Sequence, residues 1–210
     1  MIISKKAVDF IIFCEVSSKE TYTKKYSGII WPGGDSGATV GIGYDLGYNN
    51  PTDITRDWIK EIGPVQTDIL KMFSGLRGEK AKLTISGNKM AAKCEIPFQA
   101  AYNVFVNKSL PAYGRKALQA FPGLDQLTPD AVGAIVSLVY NRGSLLDGPR
   151  RVEMKNIVPL VAKKDYKGIA TQLDRMKRLW NNGLVQRREK EAALVAGSQR
   201  EYSKDELIEI

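Results

Sequence analysis

Glu15, Thr39 and Asp45 are the side chains whose types and placement in this chain allow acid–base chemistry. Val8, Ile11, Ile12 and Glu15 fall at i, i+3, i+4 and i+7, so a helix over them sets the Glu15 carboxyl in line with apolar residues rather than on the wet face. Apolar surroundings disfavour the charged form of a carboxyl, and a carboxyl that keeps its proton near neutral pH suits a general acid. A glutamate at a frayed helix end, paired with an arginine, accounts for the same pattern.

Downstream, Trp31-Pro-Gly-Gly-Asp-Ser-Gly-Ala-Thr-Val-Gly-Ile-Gly-Tyr-Asp-Leu-Gly47 carries six glycines. In a strand, the alternating Gly41 and Gly43 leave backbone bare for close approach of a ligand, with Thr39 and Asp45 as the polar side chains at its ends. The same glycines serve equally well as turn and bulge residues. Fully extended, the steps from Thr39 to Asp45 span about 20 Å at ~3.3 Å each, too far to hold one water, so joint action requires a bend at Gly41 or Gly43. Asp35, nearer to Thr39 along the chain, needs less distortion, although an aspartate in a Gly-rich turn commonly serves its own backbone hydrogen bonds.

Composition narrows the chemistry. The chain of 210 residues has no histidine, so neither a His-based triad nor a His-containing metal site is available. Its 2 cysteines, Cys14 and Cys94, are too few for a zinc site and are expected to be buried thiols. A formal charge of +8 points to a polyanionic partner, whether nucleic acid, anionic membrane or cell wall. The basic residues are scattered and no nucleic-acid motif accompanies them, so a solvated basic surface is the default. The apolar run Phe10 to Cys14 is too short for a membrane span or a signal-peptide core, and export by a standard signal is not expected.

The elements that must position these residues follow from periodicity. Ser4 caps a first helix to about Val16. Residues 17 to 50 read as polar turns and short strand-like runs, Gly28 to Trp31 and Ala38 to Tyr44, forming a small β lobe. Helices are expected over about Arg56–Phe73, Pro97–Phe121 with a break or kink at Pro111, and Pro129–Tyr140. The last has Thr128 as cap and Gly143 as stop. Three more follow at about Glu153–Ala162, Tyr166–Trp180 and Leu184–Ala196. The charged tail, Gly197 to Ile210, reads as a short extra helix or partly disordered chain.

In order along the chain stand Glu15 at the end of helix one, Thr39-Val-Gly-Ile-Gly-Tyr-Asp-Leu-Gly47, Ser137-Leu-Val-Tyr-Asn-Arg-Gly143 and Gly183-Leu-x-x-Arg-Arg-x-x-Glu191. Together they resemble the phage-type lysozymes of glycoside hydrolase family 24, and within them the pesticin-type muramidases and related phage endolysins. The Thr39 to Gly47 string is the specific part. The resemblance covers roughly residues 4 to 195, with 50 to 95 matched only in helical character.

That resemblance implies an α+β, lysozyme-like fold: a small β lobe with a Gly-rich hairpin packed against a larger, mainly helical lobe, with an active-site cleft between them. The catalytic domain would span 1–197, followed by a charged tail, 198–210. The implied reaction is hydrolysis of the β-1,4 bond between N-acetylmuramic acid and N-acetylglucosamine in bacterial peptidoglycan, with inversion and without metal or organic cofactor. By motif position, Glu15 is the general acid, Thr39 helps to hold the attacking water, and Asp45 is the second carboxylate. Simpler phage lysozymes carry their aspartate before the threonine, where this chain has Asp35, and a histidine where it has Tyr44. Arg187 corresponds to the arginine that partners the acidic glutamate, with Arg188 beside it as the alternative. Tyr44 and Asn141 are candidate sugar contacts, and packing or capping roles suit them equally. The resemblance further implies a monomer without nucleic-acid partner or stable membrane insertion, made in the cytoplasm and acting on the periplasmic wall after release. An injected antibacterial effector, a lytic transglycosylase with a single catalytic carboxylate, and a non-catalytic wall-binding module are the rival readings.

Overall fold

The expected first helix forms as α1, Lys5–Val16, and Ser4 starts it by accepting the Ala7 N–H on its hydroxyl at 3.1 Å. A computed structural model describes residues 1–210, and in it α1 crosses a division of the chain. Met1–Cys14 and Leu110–Ile210 make one unit, and Glu15–Ser109 makes the other. The architecture is α+β: mainly helical, with two small two-stranded antiparallel sheets.

In the first unit, β1 (Ile2–Ser4) pairs with β4 (Leu207–Glu209), with Ile3 opposite Ile208. This corrects the reading of the tail. A 3-10 turn over Lys204–Glu206 is its only helical part, and the chain then closes as a strand rather than as disordered residues. Its helices beyond α1, numbered in chain order after those of the other unit, are α6 (Leu110–Ala120), α7 (Pro129–Arg142), α8 (Val152–Ala162), α9 (Tyr166–Arg175) and α10 (Gly183–Ala196). Helix α7 is the axis of the unit. Its residues from Asp130 to Val139 are all buried, and it packs on β1, α6 and α10, as a helix apolar on every side must. Pro129 opens it and Gly143, at φ 73°, ends it, while Thr128 occupies the cap position without making a side-chain cap bond.

The second unit holds the last turn of α1, α2 (Lys19–Lys25), β2 (Thr39–Val40), β3 (Tyr44–Asp45), α3 (Pro51–Lys71), α4 (Gly78–Gly87) and α5 (Phe98–Val104). Helix α3 begins earlier than its periodicity suggests. Asn50 caps it, accepting the Asp53 N–H at 2.9 Å, and Pro51 takes the first helical position. It breaks at Gly63, φ 75°, ahead of Pro64. Trp58 of α3 is fully buried, and Tyr22 of α2 is anchored by its hydroxyl to the Ile96 carbonyl at 2.9 Å. The helix expected through Pro111 is continuous but not uniform. A π-helical turn, Phe105–Ser109, lies between α5 and α6. It contains Asn107, the carbonyl that a proline at 111 would meet in a regular helix, so the wider turn accommodates Pro111 without ending the helix. Both cysteines are thiols, Cys94 buried and Cys14 half-buried.

Gly133 on α7 faces Ala7 on α1 so closely that a methyl group at Gly133 would lie 2.2 Å from the Ala7 Cβ. Gly133→Ala gains up to about 1 kcal/mol of helix propensity, whereas overpacking of this kind costs ~1–3 kcal/mol. Net destabilisation is expected in urea unfolding. A midpoint that stays put or rises would mean that α1 and α7 separate freely.

Candidate active site

The Gly41-Ile42-Gly43 segment does not continue a strand. Gly41 and Gly43 adopt φ of 60° and 73°, a left-handed conformation that glycine enters without strain, and the chain reverses between them. β2 and β3 then pair antiparallel in the register Thr39↔Asp45 and Val40↔Tyr44. The separation that an extended run would impose is thereby removed, and Thr39 and Asp45 become direct cross-strand neighbours. The Leu46 N–H bonds to the Ala38 carbonyl at 2.8 Å, so the Thr39–Asp45 position is of the non-hydrogen-bonded kind, with Cα atoms about 4.5 Å apart and side chains on one face. On its other edge Thr39 exchanges both backbone hydrogen bonds with Ile30, at 2.7 and 3.0 Å. Thr39 is therefore held from both sides.

The glycine face is not bare ground for a ligand. A Cβ at Gly41 would stand 2.8 Å from the Trp58 ring, so Gly41 serves the turn and its packing on α3. Period-two alternation sends Val40 and Tyr44 to the face opposite Thr39 and Asp45. Tyr44 is buried there, edge-on to Trp58 with ring centroids 5.4 Å apart, and its hydroxyl donates to Asp57 Oδ2 at 3.0 Å. The sugar-contact reading of Tyr44 is thus corrected to a core role.

Asp45 is the best-supported carboxylate of the hairpin. Its Oδ2 accepts the Gly37 N–H at 3.0 Å and its Oδ1 accepts the Gly47 N–H at 2.8 Å. The fit is close: a Cβ at Gly37 would stand 2.1 Å from Oδ1. Thr39 Oγ1 donates to the Gly37 carbonyl at 3.3 Å, so one peptide segment ties both side chains in place. A carboxylate has about four lone-pair sites, which leaves Asp45 capacity for a further donor such as water. Partial burial pushes the Asp45 carboxyl above its ordinary range, against the opposing pull of the Gly37 and Gly47 N–H groups and of Arg77. Asp35, by contrast, is exposed in the turn closed by the Ser36 N–H on the Gly33 carbonyl. Glu15 is half-buried on the last turn of α1 and belongs to the same unit as Thr39 and Asp45.

Two contributors had no sequence signal of their own. Gly37 reads as one more loop glycine, yet it is the hub just described. Arg77 precedes α4, bridges Gly37 through its backbone, and carries its guanidinium 4.9 Å above the Tyr48 ring. Its charge favours an ionised Asp45.

Arg187 and Asn141 lie in the first unit, in an ion-pair cluster between α7 and α10. Buried Arg187 donates to Ser137 Oγ from Nε at 3.3 Å and to the Ser137 carbonyl from Nη2 at 3.2 Å, with Glu191 Oε1 3.4 Å away. Arg188 Nη2 donates to Glu191 Oε1 at 2.9 Å and to Asn141 Oδ1 at 3.3 Å, and Ser137 Oγ donates to Glu191 at 2.6 Å. Full burial pushes the Glu191 carboxyl up, and Arg188, Arg187 and Ser137 oppose that shift. The Asn141 amide oxygen is thus engaged by Arg188. The Gly-Leu-x-x-Arg-Arg-x-x-Glu string has a clear structural use as the lock between two helices.

No protein-family model matches the chain, and no curated protein matches it.

Removing one partner from a buried ion pair leaves an uncompensated charge, at a cost of ~3–5 kcal/mol. Arg188→Ala is expected to lower unfolding stability by that order, because Glu191 stays fully buried with one cation fewer. A loss under ~1 kcal/mol in chemical denaturation would show the cluster to be incidental.

Proposed function

We propose that the protein is a muramidase that hydrolyses the β-1,4 bond between N-acetylmuramic acid and N-acetylglucosamine in peptidoglycan. The observation that carries this reading is the cross-strand pairing of Thr39 with Asp45 on one face of the hairpin, both tied to Gly37. A fixed hydroxyl beside a fixed carboxylate suits the holding and deprotonation of one water. Glu15 serves as general acid. It gives its proton to the leaving sugar oxygen as the glycosidic bond breaks, while the water attacks the anomeric carbon and yields its proton to Asp45. Exchange with solvent resets both carboxyls. Attack by a separately held water inverts the anomeric centre.

The lysozyme-like arrangement of β lobe, helical lobe and cleft belongs to the same proposal, as do action on the periplasmic wall and release as a phage endolysin. Delivery as an injected effector would use the same chemistry. No helix is long and apolar enough to cross a membrane. Asp45 is preferred over Asp35 because the hairpin seats Asp45 against Thr39 and leaves Asp35 exposed on the turn.

Purified Gram-negative sacculi are expected to be solubilised with products ending in reducing N-acetylmuramic acid. Products ending in 1,6-anhydromuramic acid would establish a transglycosylase, and intact sacculi at high protein concentration a binding module. Glu15→Gln, which keeps shape but cannot act as an acid, should lower turnover by at least ~10² to 10⁴. Asp45→Asn should be comparably damaging and Asp35→Asn should stay within a few-fold. The reverse order would move the second carboxylate to Asp35. Thermal unfolding of each variant separates chemistry from hairpin loss, since Asp45 also accepts two backbone N–H groups.

The pH profile supplies an independent check. A base must be ionised, so activity falls as pH drops through the Asp45 pKa, and burial raises that value above 3.8. The acidic limb of kcat/KM is therefore expected above the ordinary aspartate range. A limb at or below 3.8 would contradict the assignment of Asp45 as base.

A further inference from the structure

In the first unit, three guanidiniums converge on one indole. Those of Arg142, Arg150 and Arg188 lie 4.6, 5.9 and 5.8 Å from the centroid of the Trp180 ring. They come from α7, from the segment leading into α8, and from α10. Arg151 adjoins them, donating from Nη2 to the Arg142 carbonyl. Arg142 in turn donates to the Arg150 carbonyl, and Arg150 to the Leu179 carbonyl at 3.3 Å. No carboxylate pairs with Arg142, Arg150 or Arg151. The nearby acids are engaged elsewhere, Glu153 by Arg178 and Glu191 by Arg187 and by Arg188 of the cluster itself.

Of the gathered guanidiniums only that of Arg188 faces a carboxylate, Glu191, so the fold leaves the charges of Arg142, Arg150 and Arg151 without an ion-pair partner. Arg188 is wholly buried, yet its Nε and Nη1 have no hydrogen-bond partner, and neither does Nε of Arg142. Burial and the proximity of Arg151, Arg188 and Arg150 push the Arg142 guanidinium down to about 10. Packing alone does not explain such an arrangement, since leaving buried donors unpaired and like charges adjacent both oppose folding. A bound anion would relieve both. Arg150 is exposed and Trp180 half-buried, so the cluster is open to solvent on that side.

We propose that Arg142, Arg150 and Arg188, gathered around Trp180, and Arg151, bonded to Arg142, form a binding site for a phosphoryl group. Guanidiniums arriving from three chain segments suit a tetrahedral dianion, whose oxygens point in different directions, whereas a planar carboxylate is satisfied by a single arginine fork. The inference does not rest on the muramidase reading: Arg188, the alternative glutamate partner there, is held by Glu191, and Arg142, Arg150 and Arg151 have no place in that chemistry.

The test uses the full chain, with inorganic phosphate and pyrophosphate as probes. Binding is followed by calorimetry and by thermal unfolding at constant ionic strength. Phosphate is expected to bind the natural protein and raise its Tm, as any ligand of the folded state does. The double variant Arg150→Gln with Arg151→Gln should bind phosphate at least about tenfold more weakly, the loss expected for removing charge-assisted hydrogen bonds. Without phosphate the double variant should be no less stable than the natural protein, since it loses repulsion around Arg142. Competition by glycerol 3-phosphate would assign the site to a phosphoryl group borne on a larger molecule, and binding of inorganic phosphate alone to the free ion; either sustains the proposal. It is overturned if the double variant keeps the full phosphate response, if acetate raises Tm equally, or if the double variant is destabilised with unchanged phosphate affinity.

Discussion

The grip of one carboxylate on two backbone N–H groups organises the hairpin. Asp45 takes the N–H of Gly37 ahead of β2 and that of Gly47 after β3, so it closes the hairpin from outside while its ladder closes it from within. Two-stranded hairpins are marginal in water by themselves, and this one has only two paired positions. The side-chain bonds, the Ile30 bridge to Thr39 and the Trp58 ring beneath Gly41 supply what the ladder lacks. Glycine at 37 and 47 follows from this closeness, since either Cβ would collide with its neighbours.

The other unit is tied together by a buried polar cluster rather than by a clasped turn. Glu191 receives Ser137 and Arg188 at hydrogen-bond distance between two helices, with Arg187 buried beside them. Such a cluster adds little net stability compared with a hydrophobic replacement, but it penalises any register of α7 against α10 that leaves the charge unpaired. The residues that resemble a family signature thus have a structural reading that holds whatever reaction the protein performs.

Much of this was legible in the sequence where the signal is local. Ser4 marks a helix start through its own hydroxyl, Pro129 and Gly143 mark helix ends through their own backbone geometry, and the apolar stripe of α1 needs no distant partner to be read. Non-local features were harder to read. Leu207 to Glu209 becomes a strand only because Ile2 to Ser4 lies beside it, and three residues carry no periodicity. Tyr44 looks the same on paper whether it meets a sugar or Trp58; the register decided it. The choice between Asp35 and Asp45 hinged on whether the chain reverses at Gly41 to Gly43, which glycine permits without requiring. The start of α3 was readable in Asn50-Pro51 but was masked by the stronger apolar periodicity that follows.

The placement of the three tryptophans has an optical consequence. Trp58 is sealed in the core behind the hairpin, Trp31 is half-buried in the loop that leads to Gly37, with its Nε1 donating to the Ser36 carbonyl at 3.2 Å, and Trp180 lies under a canopy of guanidiniums. Indole emission shifts and quenches with local polarity and charge, so these residues report from three unlike surroundings without an added label. Single-tryptophan versions would let the hairpin core, the loop beside Asp45 and the arginine cluster be watched separately as the protein unfolds or meets a ligand.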